Sequence, residues 1–104
     1  MQTRVQDNPD LHRFEIYADE SLAGFAVYEP AGANRAFVHT EIYPRHEGQG
    51  LAKILIRDAL DATRDEKLGV LPFCPFVHRF VGKNQDYLAL VPDWARERLG
   101  LPES

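Results

Sequence analysis

Arg45, Gly48 and Gly50 stand in the order Arg-x-x-Gly-x-Gly. Glycines let an anion approach backbone N–H groups without meeting a Cβ, and the arginine adds positive charge. His39 and Glu41 lie a few residues upstream, two positions apart. On a strand that spacing puts both on one face, about 6.6 Å apart along it. Either can take a proton from an attacking amine or from a thiol. The chain has one cysteine, Cys74, followed directly by Pro75. A thiol at a helix start is biased toward the reactive thiolate. The types present therefore offer anion binding, proton transfer and thiol chemistry. Two plainer readings stand beside these: Glu41 as an ion-pair partner of Arg45, and Cys74 as a small buried hydrophobe.

These residues need elements to position them. Phe37, His39 and Glu41 alternate with Val38, Thr40 and Ile42, the period of a strand, and Pro44 stops it. A helix is predicted from about Gly48 to Lys67. Leu51, Ile54, Leu55, Asp58, Ala59 and Ala62 recur at spacings of three and four, an apolar stripe but for Asp58, and the exposed side of the helix carries Lys53, Arg57, Asp61, Arg64 and Asp65. Gly69 stands where a C-cap belongs. A strand, a glycine-bearing turn and a helix N-terminus make a phosphate cradle, because the first N–H groups of a helix have no internal acceptor. The three-glycine dinucleotide fingerprint and the Gly-Lys-Ser/Thr ending of Walker A are both absent. The alternative is an ordinary turn whose glycines serve geometry alone.

The rest of the chain reads as a meander followed by a crossover. Short strands are expected at 4–6, 13–17 with Phe14 and Ile16 inward, and 22–28 with Gly24 as a bulge or close approach. Turns are expected at 7–10, 18–21 and 30–34. Val70 to Phe73 reads as a buried strand, parallel to the one that feeds the cradle through a right-handed crossover. Further helices are expected at 75–81, about 86–90 and 92–99, with frayed residues after Gly100. The expected fold class is α/β (α+β): a mostly antiparallel sheet with one splayed parallel pair and helices on both faces, in a single domain over 1–104.

Composition narrows the function. The chain has 104 residues, 44% hydrophobic and with a net charge of −4. That suits one domain with a modest core. No basic run supports a nucleic-acid footprint. No signal peptide opens the sequence and no apolar run approaches a bilayer span, so a cytoplasmic protein without a membrane partner is expected. The lone cysteine suits a reducing compartment. The histidines lack metal-ligand spacing, so no metal is expected.

Arg45, Gly48 and Gly50 match motif A of the GNAT N-acetyltransferase superfamily. His39-Thr40-Glu41, Cys74-Pro75-Phe76-Val77 and Asp86-Tyr87-x-x-Leu90-Val91 extend the match over about residues 5–91, leaving 92–104 as a helical extension. The chain resembles the minimal GNAT-like N-acetyltransferases of about a hundred residues. It departs from them at Asn84-Gln85-Asp86-Tyr87, where His-Pro-Glu-Tyr is common. The resemblance implies acetyl-coenzyme A as cosubstrate and transfer of acetyl to an amine on a small molecule or protein. It implies pantetheine along Glu41, Ile42 and Tyr43. The pyrophosphate would meet Arg45 and the backbone of His46, Glu47, Gly48, Gln49, Gly50 and Leu51. Cys74 becomes a candidate acetyl acceptor, with Glu41 and His39 as candidate bases. Tyr87 becomes a candidate proton donor to the leaving thiolate, against the plainer reading of a core aromatic. Arg79 and Lys83 would reach the ribose phosphate or remain solvated. A monomer or weak dimer is expected. Two rivals stay open: a non-catalytic acyl-coenzyme A binding module, and a protein-interaction domain.

Overall fold

The computed structural model describes residues 1–103. The elements run β1 (Thr3–Asn8), β2 (Arg13–Ala18), β3 (Ser21–Ala31), β4 (Asn34–Ile42), α1 (Leu51–Asp65), β5 (Gly69–Pro72), α2 (Pro75–Lys83), α3 (Gln85–Leu88) and α4 (Asp93–Leu99). Short 3-10 turns occupy Pro9–Leu11 and Pro44–His46. The five strands lie in chain order, β1 to β4 antiparallel and β5 parallel to β4. Among the described residues no helix is long and apolar enough to cross a membrane.

The strands run longer than their alternation predicts. Asp7 and Asn8 belong to β1, and the turn moves on to Pro9–Leu11, where the Asn8 side chain accepts from the Leu11 N–H. Pro30 and Ala31 are strand rather than loop, and only Gly32 and Ala33 turn the chain between Ala31 and its partner Asn34. A proline is tolerated in β3 because β2 has already ended. The β2–β3 ladder stops at Arg13 and Val27, so no strand on that side asks Pro30 for a donor.

α1 reaches all five strands. It buries Leu51, Leu55, Ile56, Ala59, Leu60 and Thr63, while Ile54 and Ala62 of the predicted stripe pack partly buried against the same core, so Ile56, Leu60 and Thr63 widen the stripe. An ion pair ties the end of this face to β4. Arg35, buried on β4, donates to Thr63 Oγ1 at 3.1 Å and to both oxygens of Glu66 at 2.8 and 3.1 Å. Its guanidinium also lies 4.4 Å from the Tyr28 ring centre and 5.3 Å from that of Phe14. The helix does not end on Gly69. Lys67 takes the left-handed conformation (φ 62°) and donates to Arg64 O, while Leu68 donates to Thr63 O, a Schellman closure without glycine. Gly69 instead opens β5, where a Cβ would lie 2.2 Å from Asn34 Oδ1.

The second half covers the free edge of β5. Val70 donates to Leu90 O at 2.9 Å. α2 runs two residues past its predicted end, and Asn84 closes it by donating from Nδ2 to Phe80 O. Leu101 is buried and its N–H donates to Arg96 O, so the tail through Leu101 docks rather than frays. Ser104 lies outside the described residues.

Candidate functional site

The site is built where β4 outlasts β5. The parallel ladder ends at Phe37 and Pro72, and one bond continues it: the Cys74 N–H donates to Phe37 O at 2.8 Å. Beyond that point β4 runs on to Ile42 with β3 as its ladder partner. Tyr43 N–H turns back to Ala23 O, so alternation directs the backbone groups of Thr40 and Ile42 to the open side. Gly24 allows the close β3–β4 approach predicted for it: a Cβ there would meet Glu41 O at 2.3 Å.

The cradle lies at the end of β4. Gly48 and Gly50 both adopt left-handed backbone, φ 80° and 74°, and a Cβ on either would project into open space. Gly50 caps α1, and no side chain caps the helix in its place. The helix begins at Leu51, three residues later than predicted. From Gly48 to Lys53 no backbone N–H donates to a backbone carbonyl among the described residues. A cleft of about 260 Å³ opens beside this run, lined by Ile42, His46, Glu47, Gly48, Gly50, Leu51 and Ala52. Free N–H groups at a helix start, next to left-handed turns, form an anion-binding concavity. The residues present therefore fit a pyrophosphate. Arg45 is exposed in the preceding 3-10 turn and, among the described residues, makes no ion pair with Glu41 or any other carboxylate.

A groove of about 430 Å³ adjoins the first turn of α1, lined by Lys53, Phe76, Arg79, Phe80, Lys83 and Asn84. Its three cations have no carboxylate within ion-pair distance among the described residues. The sequence pointed to Arg79 and Lys83 alone. Lys53 was assigned to the solvated face of α1, and only the packing of α2 on α1 shows it joining them.

The candidate catalytic residues do not all meet. Cross-strand partners share a face. Thr40 stands across from Ala26, and Ala26 across from Phe14, on the side toward α1. There Thr40 Oγ1 lies 3.3 Å from Cys74 Sγ. Glu41 stands across from Phe25, on the opposite face, where His39 Nε2 lies 3.2 Å from Glu41 Oε1. That pair is about half exposed, beside the rings of Phe25 and Tyr43. Neither base reaches the sulfur. Cys74 is buried at 3% exposure and is the N-cap of α2, yet its side chain makes no cap hydrogen bond, and Pro75 offers no N–H. Sequence reasoning passed over Thr40; its signal was the alternation itself, which turns it away from His39 and Glu41.

Tyr87 is committed elsewhere. Its hydroxyl donates to Asp61 Oδ1 at 2.8 Å and its ring packs on Phe80, which ties α3 to α1 and α2. Burial, and then the Asp61 carboxylate, raise its pKa above the ordinary value. Among the described residues no group of three or more His, Cys, Asp or Glu is placed to hold a metal ion.

Residues 13–91 match a family model described as GCN5-related N-acetyl-transferase. Among solved structures, a similar chain is the ribosomal-protein-alanine N-acetyltransferase from Brucella melitensis biovar Abortus 2308. It is 21% identical, with a TM-score of 0.51 over 88% of this chain and 62% of that one. The likeness is one of fold, and this chain spans less than two thirds of that neighbour. No curated protein gives a significant match.

Proposed function

We propose that this chain, which belongs to the GCN5-related N-acetyltransferase family, binds acetyl-coenzyme A and transfers its acetyl group to an amine. The observation that carries the reading is the run of unpartnered N–H groups from Gly48 to Lys53, above a cleft into which both glycine Cβ positions would project. The pyrophosphate sits there, beside Arg45. The pantetheine arm runs along Glu41 to Tyr43 and bonds to the free backbone groups of Thr40 and Ile42. Lys53, Arg79 and Lys83 hold the ribose phosphate in the neighbouring groove. The thioester then lies where β4 and β5 part, with Cys74 and Thr40 on one side and the His39–Glu41 pair on the other. Glu41, hydrogen-bonded to His39 and open to solvent, takes the proton of the incoming amine.

The acceptor is an amine on a small molecule or a protein. The structural neighbour is a ribosomal-protein-alanine N-acetyltransferase, which puts a peptide N-terminus first among acceptors to try. We place the work in the cytoplasm, by a monomer or weak dimer, without a metal, nucleic acid or membrane.

Gly50→Asn tests the cradle. Asparagine tolerates left-handed backbone, so the fold survives while a side chain enters the space meant for phosphate. Calorimetry should show coenzyme A affinity lower by about tenfold or more, on the order of 1.4 kcal/mol. Unchanged affinity in a folded variant refutes the cradle. Turnover is tested on a panel of a free-N-terminus peptide, a lysine peptide and a polyamine. Binding with no turnover on any of them leaves the chain a non-catalytic acyl-coenzyme A module.

A further inference from the structure

Amine transfer from a thioester needs two proton movements: one proton leaves the attacking nitrogen and one arrives on the departing sulfur. β4 separates the groups able to perform them. His39 and Glu41 face one side of the sheet, and Thr40, touching Cys74, faces the other. We propose that Cys74 is the proton donor to the departing coenzyme A thiolate, positioned by Thr40, and that the acetyl group never resides on the sulfur. The inference rests on the acetyl-coenzyme A reading above.

A cysteine nucleophile must first surrender its proton to a base. Thr40 Oγ1 is the one side-chain polar atom bonded to Cys74 Sγ among the described residues, and a hydroxyl is no base at neutral pH. The helix start does not hold the sulfur either, since Sγ makes no cap bond and the first residue of α2 is proline. With the Thr40 hydroxyl donating to Sγ, the thiol hydrogen is free to point into the gap between β4 and β5. The bond from Cys74 N–H to Phe37 O fixes the residue at the mouth of that gap. Tyr87, which the family resemblance suggested for this task, already donates its proton to Asp61.

The atoms balance. The amine lone pair forms the new C–N bond as the C–S bond breaks, and the electron pair stays on the coenzyme A sulfur. That sulfur takes the proton from Cys74 Sγ. The nitrogen gives its surplus proton to Glu41, which passes it to water. The Cys74 thiolate, held by the Thr40 O–H, regains a proton from solvent when product leaves. Proton transfer from one sulfur to another across a short gap is what a positioned acid at this place supplies.

The test uses the full chain, acetyl-coenzyme A and the best acceptor of the panel. Cys74→Ala and Cys74→Ser should bind coenzyme A as wild type does and lose about 10²-fold in kcat, the scale of one positioned acid. Thr40→Val should lose about tenfold in kcat with KM for acetyl-coenzyme A unchanged, and Thr40→Ser should restore it. Initial velocities should fit a ternary complex. Intact mass after incubation with acetyl-coenzyme A alone should show no acetyl on Cys74. An acetylated Cys74 with ping-pong kinetics overturns the inference and leaves the acetyltransferase reading standing. So does Cys74→Ala at the wild-type rate, or Tyr87→Phe losing more activity than Cys74→Ala. Wild-type protein that does not bind coenzyme A overturns the reading and the inference together.

Discussion

Replacing Gly24 by alanine should damage both the fold and the cradle, by an amount the geometry bounds. The new Cβ would lie 2.3 Å from Glu41 O, 2.6 Å from Ile42 Cδ1 and 3.0 Å from Ile42 Cα. The Cδ1 can swing away; the carbonyl and Cα are backbone and cannot. A carbon needs about 3.3 Å from a carbonyl oxygen, so β4 must retreat by roughly 1 Å. The Tyr43 N–H to Ala23 O bond, 2.8 Å long, stretches with it. Overpacking of this kind costs about 1–3 kcal/mol, and a lost backbone bond about 1 kcal/mol more. Alanine recovers about 0.5 kcal/mol by restricting the unfolded chain. The balance is about 1.5–3.5 kcal/mol, or roughly 7–16 °C in Tm for a domain of this size. Gly50→Ala makes a useful contrast. Its Cβ meets nothing, and the cost is left-handed backbone alone, about 1–2 kcal/mol. Melting followed by circular dichroism should therefore rank wild type above Gly50→Ala above Gly24→Ala. Coenzyme A affinity should also fall in Gly24→Ala, because Ile42 lines the cleft. A Gly24→Ala protein melting within about 3 °C of wild type would refute the tight β3–β4 approach.

The buried Arg35 makes the two partners of its ion pair unequal. Glu66→Ala leaves a guanidinium at 7% exposure without its carboxylate, at a cost of about 3 kcal/mol, while Arg35→Met leaves Glu66, 47% exposed on its side chain, free to solvent and should cost less. Equal losses in urea unfolding would show that stacking on Tyr28 and Phe14 outweighs the ion pair. Glu15 sets a pH dependence. Burial pushes its carboxyl up, but donation from Arg13, Asn8 and Tyr17 together leaves it below the ordinary 4.5. A depressed folded pKa means stability present above the unfolded value and lost as pH falls through the folded one. Stability measured downward from about pH 5 should fall less steeply in Glu15→Gln than in wild type.

Legibility in the sequence followed the range of the signal. The strands at Arg13, Leu22 and Arg35 were readable because alternation is local, and so was the tight place at Gly24. The cradle was readable because Gly48, Gly50 and the helix that follows are contiguous. The full width of the buried face of α1 was not, since Ile56, Leu60 and Thr63 join it through contacts such as the one from Arg35, 28 residues before Thr63. The end of α1 was misplaced because a lysine, not the nearby glycine, takes the left-handed position. The meeting of Thr40 with Cys74 depends on a register shift between β3 and β4, where Val27 and Tyr28 face His39 and Phe37, and on the parallel pairing of β5. No window of neighbouring residues contains that information.

The unpaired stretch of β4 leads to a last measurement. Exposed strand edges are normally shortened, charged or covered, because bare N–H and C=O groups recruit other strands. Here the open side at Thr40 and Ile42 is followed within a few residues by the donor run from Gly48 to Lys53. Both are bare in the free chain, and both lie on the proposed path of one ligand: pantetheine satisfies the strand and pyrophosphate the turn. Coenzyme A at a hundred times its Kd should then stabilise the fold by about 2.7 kcal/mol, raising Tm by roughly 10–15 °C. Amide exchange can locate that gain. The amides of Thr40, Ile42 and residues 48–53 should exchange fast in the free chain, and coenzyme A should protect both groups together. Protection of the turn alone would place only the phosphates and remove the pantetheine from β4. Protection confined to the Lys53–Arg79–Lys83 groove would mean that the nucleotide end binds without bringing the thioester to Cys74 and Glu41.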